Sequence, residues 1–127
     1  MLNAARVIAF VPSRDLDRAK AFYVEVLGLK FVSQDPFALV LNINGNMLRI
    51  AKAGDFQPAD FTILGFDVAD IGAEVAQLRE RGIVFERYPG MEQDGMGIWR
   101  SPNGARVAWF KDADSNVLSL TEFPVTG

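Results

Sequence analysis

Histidine and cysteine are both missing from this sequence of 127 residues. Without cysteine, the chain has no disulfide, no thiolate metal site and no cysteine nucleophile. Without histidine, it has neither a triad or dyad that uses histidine as general base nor a metal site that depends on imidazole. Carboxylates alone could still bind Mg²⁺, Ca²⁺ or Mn²⁺, because these ions accept oxygen ligands.

Long apolar runs and an excess of positive charge are missing as well. No stretch approaches the length that crosses a membrane, and the N-terminus lacks the pattern of a secretory signal, so we expect a cytoplasmic protein. Acids and bases alternate along the chain and the net charge is −3, which leaves no basic stripe for nucleic acid. With 50% hydrophobic and 23% charged residues, the composition is typical of a folded domain.

The first half of the chain has the pattern of a strand, a helix and three further strands. Asp15 is placed to cap the helix, and Gly28 is placed to end it in the left-handed conformation. Asn44-Gly45 between two apolar runs predicts a type I′ hairpin. The predicted elements are a strand over 6–12, a helix over 16–27, a strand over 31–33 and hairpin strands over 37–43 and 46–51.

The second half repeats this order with an offset of about 55 residues. Asp70-Ile71 corresponds to Asp15-Leu16, and Gly82 followed by Val84-Phe85 corresponds to Gly28 followed by a strand. A glycine-rich stretch, residues 88–97, has the length of a lid. The remaining predicted elements are strands over 61–68, 98–100, 106–110 and 117–123, with a polar turn over 112–116.

Three motifs in this order resemble the vicinal oxygen chelate superfamily, which includes glyoxalase I, bleomycin-resistance proteins and extradiol dioxygenases. They are Asp15-Leu-Asp-Arg-Ala-Lys-Ala-Phe-Tyr23 with Leu27-Gly28-Leu29, Phe66-Asp-Val-Ala-Asp70, and Val107-Ala-Trp-Phe-Lys-Asp-Ala-Asp-Ser-Asn-Val-Leu-Ser-Leu120. The resemblance implies an α+β fold in which two tandem βαβββ modules form an incomplete barrel around a cleft, often within a homodimer. We expect modules over 1–53 and 61–127, joined by a linker over 54–60, within one structural domain.

Metal-dependent members of that family take ligands from the first and last strands of each module, usually histidine and glutamate. The corresponding positions here fall near Ile8 and Ile63 in the first strands, and on Arg49 and Ser119 in the last strands. Isoleucine has no lone pair to offer, and arginine brings a positive charge. The resemblance therefore predicts a fold without the family's metal site and without a cofactor, which argues against glyoxalase or dioxygenase chemistry.

Several side chains could replace the metal as ligand contacts. Arg49 could bind a carboxylate, phosphate or enolate through its guanidinium, or it could be a solvated strand residue if the register is shifted by one. Aromatic side chains could line an apolar pocket or simply fill the core. These are Tyr88, Trp99, Trp109 and Phe110.

Acidic residues are candidates for general bases, although no spacing forces any two of them together. Asp67 shares a strand face with Ile63, and Glu86, Glu92 and Asp94 follow in the second half. Each could equally be a solvated charge. Asp112, Asp114 and Asn116 predict a turn, because the glycine and the distal glutamate of a calcium loop are missing.

Three functions fit these observations. The first is a metal-independent small-molecule-binding protein, working as a homodimer, with Arg49 as polar anchor and Ile8, Ile63, Tyr88, Trp99, Trp109 and Ser119 around the ligand. The second is a lyase, isomerase or hydrolase acting on a small oxygenated substrate, with Arg49 stabilising an oxyanion and Asp67 or Glu86 as base. The third is an interaction domain whose cleft is filled by its own side chains, among them Val107. The first is our leading interpretation.

Overall fold

The computed structural model of this chain describes residues 1–125 and contains two compact units. The first unit is Met1–Pro58, and the second begins at Ala59. The boundary lies inside the stretch 54–60 that was predicted to be a linker. Thr126 and Gly127, the end of the predicted second module, lie outside the described residues. No helix within residues 1–125 is long and apolar enough to cross a membrane.

The first unit has the strand order β1-β4-β3-β2, with β1 parallel to β4 and the other neighbours antiparallel. A short 3-10 turn, Leu2–Ala4, precedes it. Its elements are β1 (Ile8–Ser13), α1 (Leu16–Lys20), a π-helix that continues α1 (Ala21–Val26), β2 (Lys30–Gln34), β3 (Ala38–Ile43) and β4 (Asn46–Lys52).

Local signals in the first unit act as predicted. The Asp15 carboxylate accepts hydrogen bonds from the backbone N–H groups of Asp17 and Arg18, and so caps α1. Gly28 follows the π-helix at φ +76°, and the hairpin residues Asn44 and Gly45 have φ of +50° and +89°. These values match the two left-handed positions of a type I′ turn, so the hairpin prediction is confirmed.

Two details of the first unit differ from the prediction. The continuous helix is an α-helix for its first five residues only and then widens, with the Leu27 N–H donating to the Phe22 carbonyl. The first strand does not end at Pro12 but continues to Ser13. β1 is an edge strand of this sheet, a position at which a strand tolerates proline.

The second unit repeats the strand order as β5-β8-β7-β6, with β5 parallel to β8. Asp70 caps its helix by accepting from the Ala73 N–H. Its elements are β5 (Thr62–Asp67), α2 (Ile71–Glu80), β6 (Trp99–Arg100), β7 (Arg106–Lys111) and β8 (Val117–Glu122). Two βαβββ modules with open four-stranded sheets confirm the α+β fold class.

The strand expected at Val84-Phe85 is wrong. Residues 83–88 contain no strand, and β6, which consists of two residues, takes the outer sheet position that β2 has in the first unit. One hydrogen bond of the kind found between paired strands links this segment to β7: the Glu86 N–H donates to the Trp109 carbonyl. Pro89 then has no N–H to donate, and Gly90 turns the chain at φ +81°, so pairing does not extend.

Each sheet buries one face against its own helix. In the second unit, Phe110 on β7 and Leu118 on β8 are paired and fully buried. The helix contributes the buried side chains Ile71, Val75 and Leu78. In the first unit the buried sheet residues include Leu39, Leu41, Leu48 and Ile50. Because side chains alternate along a strand, the other face of each sheet, called the far face below, carries the intervening residues.

The stretch 112–116 forms the predicted polar turn, and its side chains Asp112, Asp114 and Asn116 are buried. One carboxylate oxygen of Asp112 accepts from the backbone N–H groups of Asp114 and Asn116, each at 2.9 Å. The other accepts from the Asn116 side-chain amide at 2.9 Å. Ser115 completes the turn with φ +68°. This hydrogen bonding fixes the connection between β7 and β8, and so sets the register of the two strands that carry Trp109 and Ser119.

Candidate ligand-binding surfaces

The far face of the first sheet is largely apolar and holds Arg49. Phe10 on β1 and Val40 on β3 are the cross-strand neighbours of Arg49 on β4. Ile8 pairs with Met47 and so lies diagonally beside Arg49 on the same face. Phe10 is 61% exposed and Ile8 is 45% exposed, whereas Arg49 is half-buried. The guanidinium therefore emerges from apolar surroundings, where an ion pair is less screened than in water.

One acidic residue interacts with Arg49 electrostatically. The backbone N–H groups of Phe37 and Ala38 donate to one Asp35 oxygen at 2.8 and 2.9 Å, and they hold the pKa of this carboxyl below its ordinary value. Arg49 contributes to the same lowering with a smaller effect. Asp35 is fully exposed, so water screens its attraction to Arg49.

The far face of the second sheet carries the predicted aromatic residues. Trp109 on β7 pairs with Ser119 on β8, which in turn pairs with Gly65 on β5. The rings of Tyr88 and Trp109 are 5.5 Å apart at 86°, and those of Trp99 and Trp109 are 6.1 Å apart at 39°. Three of the predicted ligand contacts thus form one aromatic cluster, with the Ser119 side chain beside it.

An open cavity of about 370 Å³ lies on this far face. We call it the aromatic cavity; its lining includes Asp60, Phe61, Tyr88, Met91 and Trp109. Trp99, which belongs to the aromatic cluster, and Ser119, which lies beside it, are not part of the lining. The volume falls within the range of small-molecule sites.

Sequence reasoning missed Asp60 and Phe61, which precede β5 and were read as the end of a linker and the start of a strand. Their role depends on the fold, because only the sheet brings residue 60 close to residue 109. Met91 lies in the stretch 88–97 that was predicted to have the length of a lid, and its flexible thioether side chain suits an adaptable apolar contact. The one sequence signal for these two residues was that a polar residue directly precedes an aromatic residue at the predicted start of a strand.

Side-chain hydrogen bonds from Gln93, Asp94 and Arg87 hold the stretch 88–97, and those of Gln93 reach both of its ends. Gln93 accepts from the Tyr88 N–H at 2.8 Å through its amide oxygen. Its amide nitrogen donates to the carbonyls of Glu86 and Gly97, at 2.9 and 2.8 Å. These bonds connect the two ends of the loop and position Tyr88 against Trp109. The function of this loop as a lid stays a prediction.

Glu86 forms an ion pair beside the aromatic cluster. Its carboxylate lies 3.3 Å from the Lys111 ammonium. Burial raises the pKa of the Tyr88 hydroxyl above its ordinary value of 10.0, and the negative charge of Glu86 raises it further. Lys111 acts in the opposite direction with the smallest effect. Tyr88 is therefore a neutral hydrogen-bond donor throughout the physiological pH range.

The raised pKa makes the stability of the fold depend on Tyr88 at alkaline pH. The contribution is full below the unfolded value of 10.0 and is lost as pH rises through the higher folded pKa. We expect the wild type to lose more unfolding free energy than Tyr88→Phe between about pH 8 and about pH 11. Urea titrations at both pH values measure this. Equal losses in the two proteins would contradict the burial of the phenol.

The two predicted bases occupy different environments. Asp67 pairs with Thr121 on the far face and is exposed. Glu86 is already engaged by Lys111. Ile63 lies where the pairing of β5 with β8 shifts register, between Thr62 and Leu64, so its side chain has no direct cross-strand partner.

A family comparison identifies the fold. The model of the Glyoxalase/Bleomycin resistance protein/Dioxygenase superfamily matches residues 5–120. The chain belongs to this superfamily. The resemblance stated from the motifs is thereby confirmed. No curated protein matches the sequence significantly.

Solved structures of the superfamily share the fold across almost the whole chain. A bleomycin resistance determinant encoded on transposon Tn5 has a TM-score of 0.74 at 24% identity, covering 94% of this chain and 98% of its own. A lactoylglutathione lyase from Agrobacterium tumefaciens has a TM-score of 0.70 at 23% identity, with coverages of 94% and 93%. TnmS3, an antibiotic binding protein from Streptomyces sp. CB03234, has a TM-score of 0.68 at 25% identity, with coverages of 94% and 95%.

The superfamily includes metal-dependent enzymes, and the resemblance places the positions of their metal ligands at Ile8, Arg49, Ile63 and Ser119 of this chain. Ile8 shares its far face with Arg49, and Ser119 is buried beside Gly65. Two isoleucines, a guanidinium and one hydroxyl do not fit a divalent cation. Among residues 1–125, no group of three or more histidine, cysteine, aspartate or glutamate side chains is close enough to hold a metal. The donor set therefore does not fit the metal of those enzymes.

Proposed function

We propose that this protein binds a small organic molecule without using a metal, and that the aromatic cavity is its binding site. The observation that carries this proposal is the set of aromatic and thioether side chains around a volume of about 370 Å³. Tyr88 and Trp109 are only half-buried, so they retain surface that a ligand can cover. Flat apolar ligands gain from such surfaces both by burial and by ring contacts.

Trp99 and Ser119 support the cavity without lining it. The Trp99 ring contacts that of Trp109, and Ser119 is the cross-strand neighbour of Trp109. Ser119 is 6% exposed, and a Cβ at Gly65 would be 3.4 Å from its Oγ. We propose that these residues hold the Trp109 ring in place. Ile63, at the register shift of β5, is proposed as a neighbouring apolar contact.

Catalysis has less support than binding. Of the two proposed bases, Glu86 is paired with Lys111, and Asp67 is an exposed carboxylate at the end of β5 opposite to the lining residue Thr62. Neither Asp67 nor Glu86 lines the aromatic cavity. A general base has to reach the proton that it removes, directly or through one water molecule.

A thermal-shift panel of neutral bicyclic aromatic compounds tests the proposal. A ligand that binds the native state raises the melting temperature by mass action. We expect a concentration-dependent rise with at least one such compound, unchanged by EDTA and by added divalent metals. Stabilisation by a divalent metal alone would overturn the metal-independent function, and no response to any aromatic compound would overturn the binding site.

Arg49 is proposed as a separate anion-binding contact on the first unit, with Ile8 and Phe10 beside it. A guanidinium can bind a carboxylate or phosphate through two parallel hydrogen bonds. We expect an aryl carboxylate or aryl phosphate to raise the melting temperature of the wild type and to lose that effect in Arg49→Ala. Arg100→Ala, which removes an exposed arginine of β6, is the matched control. A response that persists in Arg49→Ala would exclude this contact.

A further inference from the structure

The charge on the lining of the aromatic cavity is negative. Asp60 is the one residue of its lining that carries a formal charge at neutral pH; the other lining residues are aromatic, aliphatic, thioether or hydroxyl side chains. Asp60 is exposed. Within residues 1–125, its carboxylate has no ion pair and no hydrogen-bond donor. Its charge is therefore not neutralised by the chain and is available to a ligand.

The aromatic side chains of the lining also favour a cationic ligand. Tyr88 and Trp109 both line the cavity and meet edge to face, at 86° with their ring centroids 5.5 Å apart. The face of an aromatic ring has negative potential and attracts a cation within about 6 Å of its centroid. An anion in the cavity would lie beside these aromatic side chains and the Asp60 carboxylate. No positively charged side chain in the lining would offset the free-energy cost of removing water from that anion.

The ion pair next to the cavity does not reverse this preference. Lys111 lies 3.3 Å from Glu86, and its charge is thereby matched by an adjacent carboxylate. Lys111 does not line the cavity, and its side chain is 48% exposed, so water screens it. At the Tyr88 hydroxyl, the negative charge of Glu86 has a larger effect on the pKa than the positive charge of Lys111.

We propose that the aromatic cavity selects a planar organic cation, such as a quaternised nitrogen heterocycle. Tyr88 and Trp109 contact the ring system, and Asp60 supplies the counter-charge. This inference deepens the proposed function and rests on it, because it assigns a ligand class to the same site. It makes Asp60 the residue that determines specificity, while the aromatic residues supply most of the affinity.

A pair of probes of nearly equal shape separates charge from ring contact. Isothermal titration calorimetry at neutral pH would compare N-methylquinolinium with quinoline, which is uncharged there, and with 2-naphthoate as the anionic counterpart. We expect the cation to bind about tenfold more tightly than quinoline, which is the scale of one cation–π contact plus a partly screened counter-charge. The naphthoate is measured in Arg49→Ala, which removes the proposed anion contact of the first unit, and it should bind the aromatic cavity more weakly than quinoline does.

Two variants test whether the Asp60 carboxylate causes the preference for the cation. Asp60→Asn keeps the shape of the side chain and is expected to remove the preference for the cation, so that N-methylquinolinium and quinoline bind about equally tightly to this variant. Glu80→Gln removes a carboxylate from the exposed side of α2, and should preserve the preference.

The outcomes separate the selection of a cation from the binding of an aromatic ligand at this cavity. Equal binding of quinoline and N-methylquinolinium, or a preference that survives in Asp60→Asn, would overturn the selection of a cation and leave the proposed function standing. If none of the three probes binds, both the proposed function and the inference fail.

Discussion

Replacing Trp109 with alanine is expected to lower the affinity of the aromatic cavity for quinoline at least about tenfold. The indole lines the cavity and contacts both Tyr88 and Trp99, so its removal deletes one wall and releases the two rings that pack against it. Because Trp109 is half-buried and on the far face, the unfolding free energy should fall by only about 1–2 kcal/mol. Calorimetric titration and urea denaturation measure the two quantities separately.

Trp109→Phe is the matched control for this prediction. It keeps an aromatic face at the same strand position, so it should retain most of the affinity that the alanine variant loses. A Trp109→Ala protein that binds quinoline as tightly as the wild type would show that the ligand binds elsewhere. It would also remove the observation on which the proposed function rests.

Replacing the adjacent residue, Phe110, with alanine is expected to lower stability strongly and to change the affinity for quinoline little. Its side chain is fully buried on the helix-facing side of the second sheet and meets Phe85 edge-on, with 5.5 Å between the ring centroids. Phe110→Ala should lower the unfolding free energy by about 3–5 kcal/mol, because it loses the burial of the ring and leaves a cavity. The shift of the urea midpoint measures this loss.

Phe110→Leu is the control, because it retains most of the buried apolar volume and should cost clearly less than the alanine variant. While still folded, Phe110→Ala should bind quinoline with nearly wild-type affinity, since Phe110 points away from the aromatic cavity. A loss of stability below about 1 kcal/mol would mean that Phe110 is not a core residue, and the assignment of the two sheet faces would be wrong.

Features specified by neighbouring residues were predictable from the sequence. Asp15 and Asp70 precede helical periodicity, and each caps its helix through contacts within three residues. Asn44-Gly45 defines its turn because few other residues adopt two successive left-handed conformations. The order of these local signals, repeated once, predicted an internal repeat, whereas the superfamily and its two βαβββ modules were predicted from the motifs that resemble it.

Features that depend on distant pairing were not predictable. The residues Val84-Phe85 have strand-like composition, yet Phe85 packs against Phe110 without forming a strand, and the outer position of the second sheet goes to β6. The aromatic cavity joins Asp60 to Trp109, and their proximity follows from the pairing of β5 with β8 and of β8 with β7. Candidate aromatic residues were visible in the sequence, but the carboxylate beside them was not.

The position of the two tryptophans gives this protein a built-in optical reporter. Trp99 and Trp109 are its only indoles, and both belong to the second unit, with 6.1 Å between their rings. At that separation they exchange excitation energy, so their emission acts as one signal from a single region. Circular dichroism, in contrast, averages over the backbone of both units. Following both signals through one denaturation would show whether the two modules unfold together or in succession.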